Sequence, residues 1–311
     1  MAMDEGAEFR EESEVVEPML EHGAIVGVRS REQAKICEHK AKVTIIAEGG
    51  SGNLCRKLGT YVGDPRAIFM CCQQHMELSN ACIAERIGDN IELYLGSAIV
   101  PIGYAWIFPK DNIVSVGLGT PLSVVKEQKI NLRERLARFV AQHPIAKQKL
   151  LGATFLSSQS AMLPHGGMGR DDFRIVSRIH GNGYVIIGDA AGFASPATGE
   201  GIYYGMKSAK IAAEVAVDSL QVNDFSETRL AEYHKRVRQS VIYEDMKVGW
   251  KIRRMFQESD RSTERVVRAS KLDPWFGEMT RKLISGEIPY GSFMKGLYTH
   301  PHKLLKALLF Y

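Results

Sequence analysis

An apolar run, Tyr184-Val185-Ile186-Ile187, ends in Gly188-Asp189-Ala190-Ala191-Gly192, and Pro196 and Thr198-Gly199-Glu200-Gly201-Ile202 follow it into a helix-forming stretch, Tyr203 to Ala213. This order constrains the fold more than any other part of the chain. A β-branched strand, a carboxylate at its tip, small residues and a glycine-flanked helix start form a cradle for a diphosphate. Glycine lets the backbone approach a ligand closely. The free N–H groups and the positive dipole end of a helix receive negative charge. Asp189 can accept hydrogen bonds from ribose or ribitol hydroxyls. The plainer reading is a strand–turn–helix packing corner, and the second glycine pair weighs against it.

A second constellation is Tyr104-Ala105-Trp106-Ile107-Phe108-Pro109, with Gly117-Leu118-Gly119 after it. On a strand, Tyr104, Trp106 and Phe108 share one face. Three aligned aromatics make a broad apolar wall for a hydrocarbon or a flat ring, and equally an ordinary core strand. At Gly117 and Gly119 a bare backbone would allow close approach.

The rest of the chain sets boundaries. At 311 residues it can bury a sizeable core in one or two domains. A net charge of +4 is too small to point to nucleic acid. Charge is unevenly spread: residues 1–21 carry eight acids and one base, and residues 233–311 carry sixteen bases against eight acids, a local net of +8. A basic C-terminal region suits anionic lipid headgroups or phosphates, and equally a solvated helix face. Five cysteines with no C-x-x-C suggest neither a zinc site nor a disulfide framework, which fits a reducing cytoplasm. Lys303 to Phe310 reads as a small interfacial anchor or as a short helix docked on the body.

Periodicity predicts short strands and hairpins over 10–48, β-structure over 66–120 and helix from Ser123 to Leu151 with a break near Pro144. Residues 163–183 read as Gly-rich and turn-like. Ser226 is a candidate N-cap for one long helix to Met255 or Phe256. Pro274, Pro289 and Pro301 divide the C-terminal residues into shorter helical pieces.

The Gly-Asp segment resembles the second flavin-contacting motif of p-hydroxybenzoate hydroxylase-like FAD enzymes. Its continuation, Gly-Glu-Gly-Ile-Tyr-Tyr, and the spaced Tyr-x-Trp-x-Phe-Pro and Gly-x-Gly resemble the geranylgeranyl reductase family. Glu48-Gly49-Gly50-Ser51-Gly52 with Arg56 is similar to that family's A-D-G-x-x-S turn, with Glu48 for Asp and Ser51 one place early. G-x-G-x-x-G, on which the ADP half of FAD would dock, does not occur in the sequence. The opening Asp4-Glu5-Gly6-Ala7-Glu8-Phe9 resembles a segment well inside the FAD domain. The expectation is a chain lacking its first βαβ unit, or else a short protein that does not bind FAD alone.

The resemblance implies an α/β fold with α+β elements: the remainder of a Rossmann-like FAD-binding domain over 1–62 and 161–222, an antiparallel-sheet substrate domain over 63–160 and a helical region over 223–311. It implies FAD as cofactor, with Val15 at the adenine end and Gly188, Asp189, Ala190, Gly192, Pro196, Gly199, Gly201 and Ile202 around the flavin. In particular, Gly199, Gly201 and Ile202 would present backbone N–H groups. Tyr104, Trp106, Phe108, Pro109, Gly117 and Gly119 would line an isoprenoid cavity. The implied reaction is saturation of double bonds in a geranylgeranylated glycerophospholipid or geranylgeranyl diphosphate. The implied electron donor is NAD(P)H, a deazaflavin or ferredoxin, and the implied location is the cytoplasm with a peripheral membrane contact. No catalytic residue and no metal ligand is indicated. The competing expectations are a flavin monooxygenase on the same fold and a non-catalytic isoprenoid-lipid-binding remnant.

Overall fold

Alternating apolar and polar residues build a hairpin ladder at the start of the chain. β1 (Ser13–Glu21), β2 (Ala24–Glu32) and β3 (Lys35–Lys40) pair antiparallel in that order. Both connections are two-residue turns, His22-Gly23 and Gln33-Ala34, with φ of 49, 79, 45 and 71°. Positive φ at both positions matches the twist of the flanking strands. Pro18 sits on the edge strand β1, where its missing N–H removes no interior ladder bond. The computed structural model describes residues 2–61, 63–165, 167–168, 173–174, 178–257 and 259–303.

β4 (Thr44–Ile46) runs through a glycine turn into α1 (Asn53–Lys57). An antiparallel sheet comes next, made of β5 (Ile68–Glu77), β6 (Glu92–Leu95), β7 (Tyr104–Lys110), β8 (Ile113–Pro121) and β9 (Thr154–Pro164), in the order β6-β7-β8-β5-β9. Its connections contain α2 (Asn80–Arg86), α3 (Leu122–Glu127), α4 (Leu132–Gln142) and α5 (Pro144–Lys149). α2 interrupts the stretch expected to be all β; its Ser79 cap accepts from the Cys82 N–H. One sheet face buries Ala105, Ile107, Val116 and Leu118 against Leu132, Leu136 and Phe139 of α4. The opposite face carries the aromatics.

β10 (Gly167–Met168) and β11 (Phe173–Arg174) pair with each other. β12 (His180–Gly181) and β13 (Tyr184–Ile186) extend β4 into a sheet of order β12-β13-β4, with β13 parallel to β4. Six helices complete the described chain: α6 (Ile202–Val222), α7 (Glu227–Gln239), α8 (Val241–Phe256), α9 (Asp260–Leu272), α10 (Pro274–Ile284) and α11 (Tyr290–Thr299). Ser226 does cap a helix, accepting from the Arg229 N–H, but the expected single helix to Phe256 is two. Ser240 breaks it with extended backbone, donating back to the Val237 carbonyl and accepting from the Ile242 N–H. The expected anchor over Lys303–Phe310 lies outside the described residues from 304 onward.

α6 is apolar on two sides. Tyr204, Ala212 and Val215 join the core with Ile46, Ile186 and Tyr233. Ile202, Met206, Val217 and Leu220 lie along its other side, each 48–80% exposed.

Candidate functional site

The loop between β13 and α6 is built by local backbone chemistry. Gly188, Gly192 and Gly199 have φ of 57, 78 and 75°, values that favour glycine. Gly188 donates its N–H to Ser208 Oγ, and Gly192 donates to the Asp189 carbonyl, closing the turn. A Cβ on Gly201 would fall 2.7 Å from Asp189 Oδ1, so the second glycine pair makes room for the carboxylate.

Asp189 is half-buried, and its carboxylate has no hydrogen-bond partner among the described residues. Burial, then the neighbouring Glu200, pushes its pKa above the ordinary value. An acceptor left without donors at a cavity wall suits a hydroxyl-bearing ligand. Glu200 accepts from the Tyr203 N–H at 2.7 Å, capping the first turn of α6. The N–H groups of Gly201 and Ile202 have no acceptor among the described residues. Gly199 departs from expectation: its N–H is taken by the Ser195 carbonyl at 2.9 Å, so it is unavailable to a ligand.

A cavity of about 590 Å³ opens on this loop, within the range of small-molecule sites. Its polar end is Gly188, Asp189 and Thr198–Ile202, and its apolar end is Leu93, Tyr104, Phe108, Leu163 and Ile284. Tyr104 bridges the two, donating its hydroxyl to the Thr198 carbonyl at 2.5 Å. Burial raises the Tyr104 pKa, so the phenol stays protonated. Trp106 stacks on Phe108 with ring centroids 5.9 Å apart, and Tyr104 tilts against Trp106 at 5.9 Å. The three rings therefore form one continuous layer.

Gly117 and Gly119 differ from their expected role. A Cβ on Gly117 would fall 2.3 Å from Trp106 Cζ2, and one on Gly119 would fall 2.6 Å from Cys71 Sγ. The space above both glycines is thus filled by this chain's own side chains. Burial, then Cys72 and Asp189, pushes the Cys71 thiol up to about 12. Pro109 pairs opposite Val114 at the strand end and does not line the cavity.

Other expected contacts lie elsewhere. Val15 is on β1 opposite Ser30, away from the cavity wall. Pro196 is buried beneath Gly249 of α8, and Gly192 is buried in the turn. The Ala190 carbonyl faces the Cys55 thiol. Ala190, Gly192 and Pro196 thus lie behind the loop's cavity face. Glu48 caps α1, accepting from the Leu54 and Cys55 N–H groups at 2.8 Å, a reach that its extra methylene permits. Arg56 stacks on the Tyr61 ring, 3.4 Å from its centroid. His165 is fully buried, and its Nε2 accepts from Arg253 at 2.8 Å. Burial, then Arg253, holds its pKa well below 6.5, so the ring is neutral.

Sequence reasoning missed the helical contribution. Tyr290 of α11 places its hydroxyl 2.6 Å from Ser195 Oγ and 3.0 Å from Thr198 Oγ1, tying the last described helix to the glycine loop. Gln257, just past the end of α8, and Ile284 of α10 reach the cavity. No short motif marks these residues, because only packing of the helical layer brings them there. No group of His, Cys, Asp and Glu suited to a metal occurs among the described residues.

The chain matches known proteins. Residues 68–155 match the family model of the geranylgeranyl reductase catalytic domain. The digeranylgeranylglycerophospholipid reductase of Methanocaldococcus jannaschii is 33% identical over 197 residues, covering 63% of this chain and 46% of that protein. The protein of the same name from Methanosphaerula palustris is 30% identical over 276 residues, covering 87% of this chain and 64% of that one. This chain therefore spans about half to two-thirds of the length of these relatives. A geranylgeranyl bacteriochlorophyll reductase-like protein from Thermoplasma acidophilum superposes with a TM-score of 0.69 at 24% identity, covering 83% of this chain and 61% of that one. The fold is thus a mixed helix-and-sheet architecture shared with that protein.

Proposed function

We propose that this chain, whose residues 68–155 carry the sequence of a geranylgeranyl reductase catalytic domain, serves FAD-dependent saturation of isoprenoid double bonds. The substrate class is a geranylgeranylated glycerol lipid or geranylgeranyl diphosphate, in membrane lipid biosynthesis. The observation that carries this reading is a single cavity with a hydroxyl-accepting, N–H-donating end at Asp189, Gly201 and Ile202 and an aromatic, apolar end at Tyr104 and Phe108.

The donors and acceptors fit a flavin. Asp189 would accept from ribityl hydroxyls, and the Gly201 and Ile202 N–H groups would donate at the helix start. Reduced FAD, when bound, supplies the hydride chemistry, and an external electron donor renews it. The chain's own work is placement and exclusion of water. An isolated trisubstituted alkene has no carbonyl to stabilise developing charge, so it must be held tightly in a dry site. The Tyr104–Trp106–Phe108 layer provides that surface, with Trp106 propping the two outer rings. The titratable side chains on the wall are Tyr104, Asp189 and Glu200.

The test is anaerobic incubation of the chain with FAD, dithionite and an unsaturated geranylgeranyl lipid, read by mass spectrometry. The expected result is products heavier by two hydrogens per saturated bond. In a parallel aerobic incubation with NAD(P)H in place of dithionite, oxygen consumption with a hydroxylated product would replace this reading with a monooxygenase. Lipid binding without reduction would replace it with a lipid-binding protein.

A further inference from the structure

The cavity at the glycine loop does not end there. A second cavity of about 490 Å³ shares Leu93, Leu95, Ala197, Thr198, Gln257 and Ile284 with it and runs between α8, α9 and α10. A third, of about 250 Å³, shares Leu95, Thr263, Val267 and Lys271 with the second and opens beside α9. The three therefore adjoin in a row from Asp189 to the α9 surface, apolar in the first two and edged by Glu264, Arg268 and Lys271 in the third.

That surface is organised. Arg261, Arg265, Arg268 and Leu272 succeed one another at i, i+4, i+7 and i+11, which places them along one side of α9, next to the opening, which Arg268 of the four lines. None of these arginines forms an ion pair with a described residue, and neither does Lys271 at the opening. Nearby bases behave differently: Arg281 of α10 is paired with Glu278 and Glu287. Leu272 is 58% exposed. Two acids share the helix: Asp260 accepts from the Ile102 N–H and Glu264 stands at the opening. Four bases against two acids leave α9 at +2. No described helix is long and apolar enough to cross a membrane.

We propose that this side of α9 seats the mouth of the path on an anionic bilayer surface. These arginines meet lipid phosphates, Leu272 enters the interface, and an isoprenoid chain passes from the bilayer into the adjoining cavities. The charge favours an anionic surface over a neutral one, and the apolar path behind it favours lipid over a nucleic acid. The lipid-entry part rests on the proposed function; the docking itself does not.

The test is sedimentation of the full chain with phosphatidylcholine vesicles, with and without phosphatidylglycerol. The expected result is pelleting with the anionic vesicles alone, reversed by salt. Arg261→Glu, Arg265→Glu and Arg268→Glu together should weaken binding by roughly a hundred-fold, since each base near the surface contributes about a five-fold share. Leu272→Ala should weaken it less. Lys129→Glu with Arg133→Glu, exposed bases elsewhere, should change little. Circular dichroism verifies folding, and the milder Arg→Gln set provides a second comparison. Equal binding to both vesicle types, or binding unchanged by the α9 set, overturns the proposal. The assay needs neither flavin nor turnover. A chain that docks but reduces nothing contradicts only the proposed function, and one that reduces detergent-dispersed lipid but ignores vesicles contradicts only the docking.

Discussion

The indole of Trp106 occupies the space that a side chain at position 117 would need: a Cβ on Gly117 would lie 2.3 Å from Trp106 Cζ2 and 2.5 Å from Cε2. The strand pairing sets this contact, because Trp106 and Gly117 are direct partners across β7 and β8. Trp106 in turn supports Phe108 and Tyr104, so the glycine fixes the aromatic wall indirectly.

Gly117→Ala should therefore cost about 1–3 kcal/mol, the usual penalty of overpacking. Thermal unfolding reads the loss. Trp106→Leu should recover part of it in the double variant, because the Cys72 carbonyl also crowds the site at 2.8 Å. Additive effects of the two changes would show that the ring and the glycine are not coupled.

Asp189 should work against stability in the free protein. Its folded pKa is raised, so the folded state holds a proton that the unfolded chain releases, and stability falls as pH rises from the ordinary value of 3.8 through the raised one. Asp189→Asn should stabilise the ligand-free chain at neutral pH by about 1 kcal/mol. That gain should vanish at acid pH. Denaturant midpoints across pH measure this, and an Asn variant less stable at neutral pH would count against it.

His165 should give the opposite slope. It is neutral when folded and regains a pKa near 6.5 when unfolded. Its contribution is fully present above about 6.5 and is lost as pH falls through that value toward the lower folded pKa. His165→Gln keeps an acceptor for Arg253 and removes the titration. Its urea midpoint should vary less between about pH 7.5 and 5 than that of the parent. Parallel profiles would exclude His165 as the source.

Tyr290→Phe should loosen the glycine loop from α11. Its hydroxyl meets both Ser195 and Thr198, so the change leaves two buried or half-buried hydroxyls short of a partner. A loss of about 1–3 kcal/mol is expected. Flavin affinity should fall with it, since the same loop carries Gly201 and Ile202. An unchanged affinity would confine Tyr290 to stability.

Much of this was legible in the chain because local signals and tertiary packing agree. The apolar run before Gly188 is a strand, and the helix after Gly201 begins at Ile202. The alternation at Tyr104–Phe108 does align three rings. Elsewhere packing overrode local signs. Gln33-Ala34 forms a tight turn without asparagine or glycine, held by the β2–β3 register. Ser240 splits a continuous helical pattern because its side chain caps both neighbours. Gly117 and Gly119 looked like openings for a ligand, but which side chain fills a glycine's space depends on strand partners that spacing alone does not reveal. The Tyr290 tie and the α9 mouth depend on how six helices stack, and no motif encodes that.

In the proposed function one cavity takes the flavin at Asp189 and an isoprenoid chain beside Tyr104. Fluorescence titration of FAD into the chain, with and without a saturating geranylgeranyl lipid, tests it directly. The expected result is saturable flavin quenching that Asp189→Asn weakens by roughly ten-fold, the loss of one hydrogen bond to a charged acceptor. Added lipid should shift the bound-flavin signal, and Phe108→Ala should diminish that shift without preventing flavin binding. Flavin binding unaffected by Asp189→Asn, or lipid binding that leaves the flavin signal unchanged, would contradict a shared site.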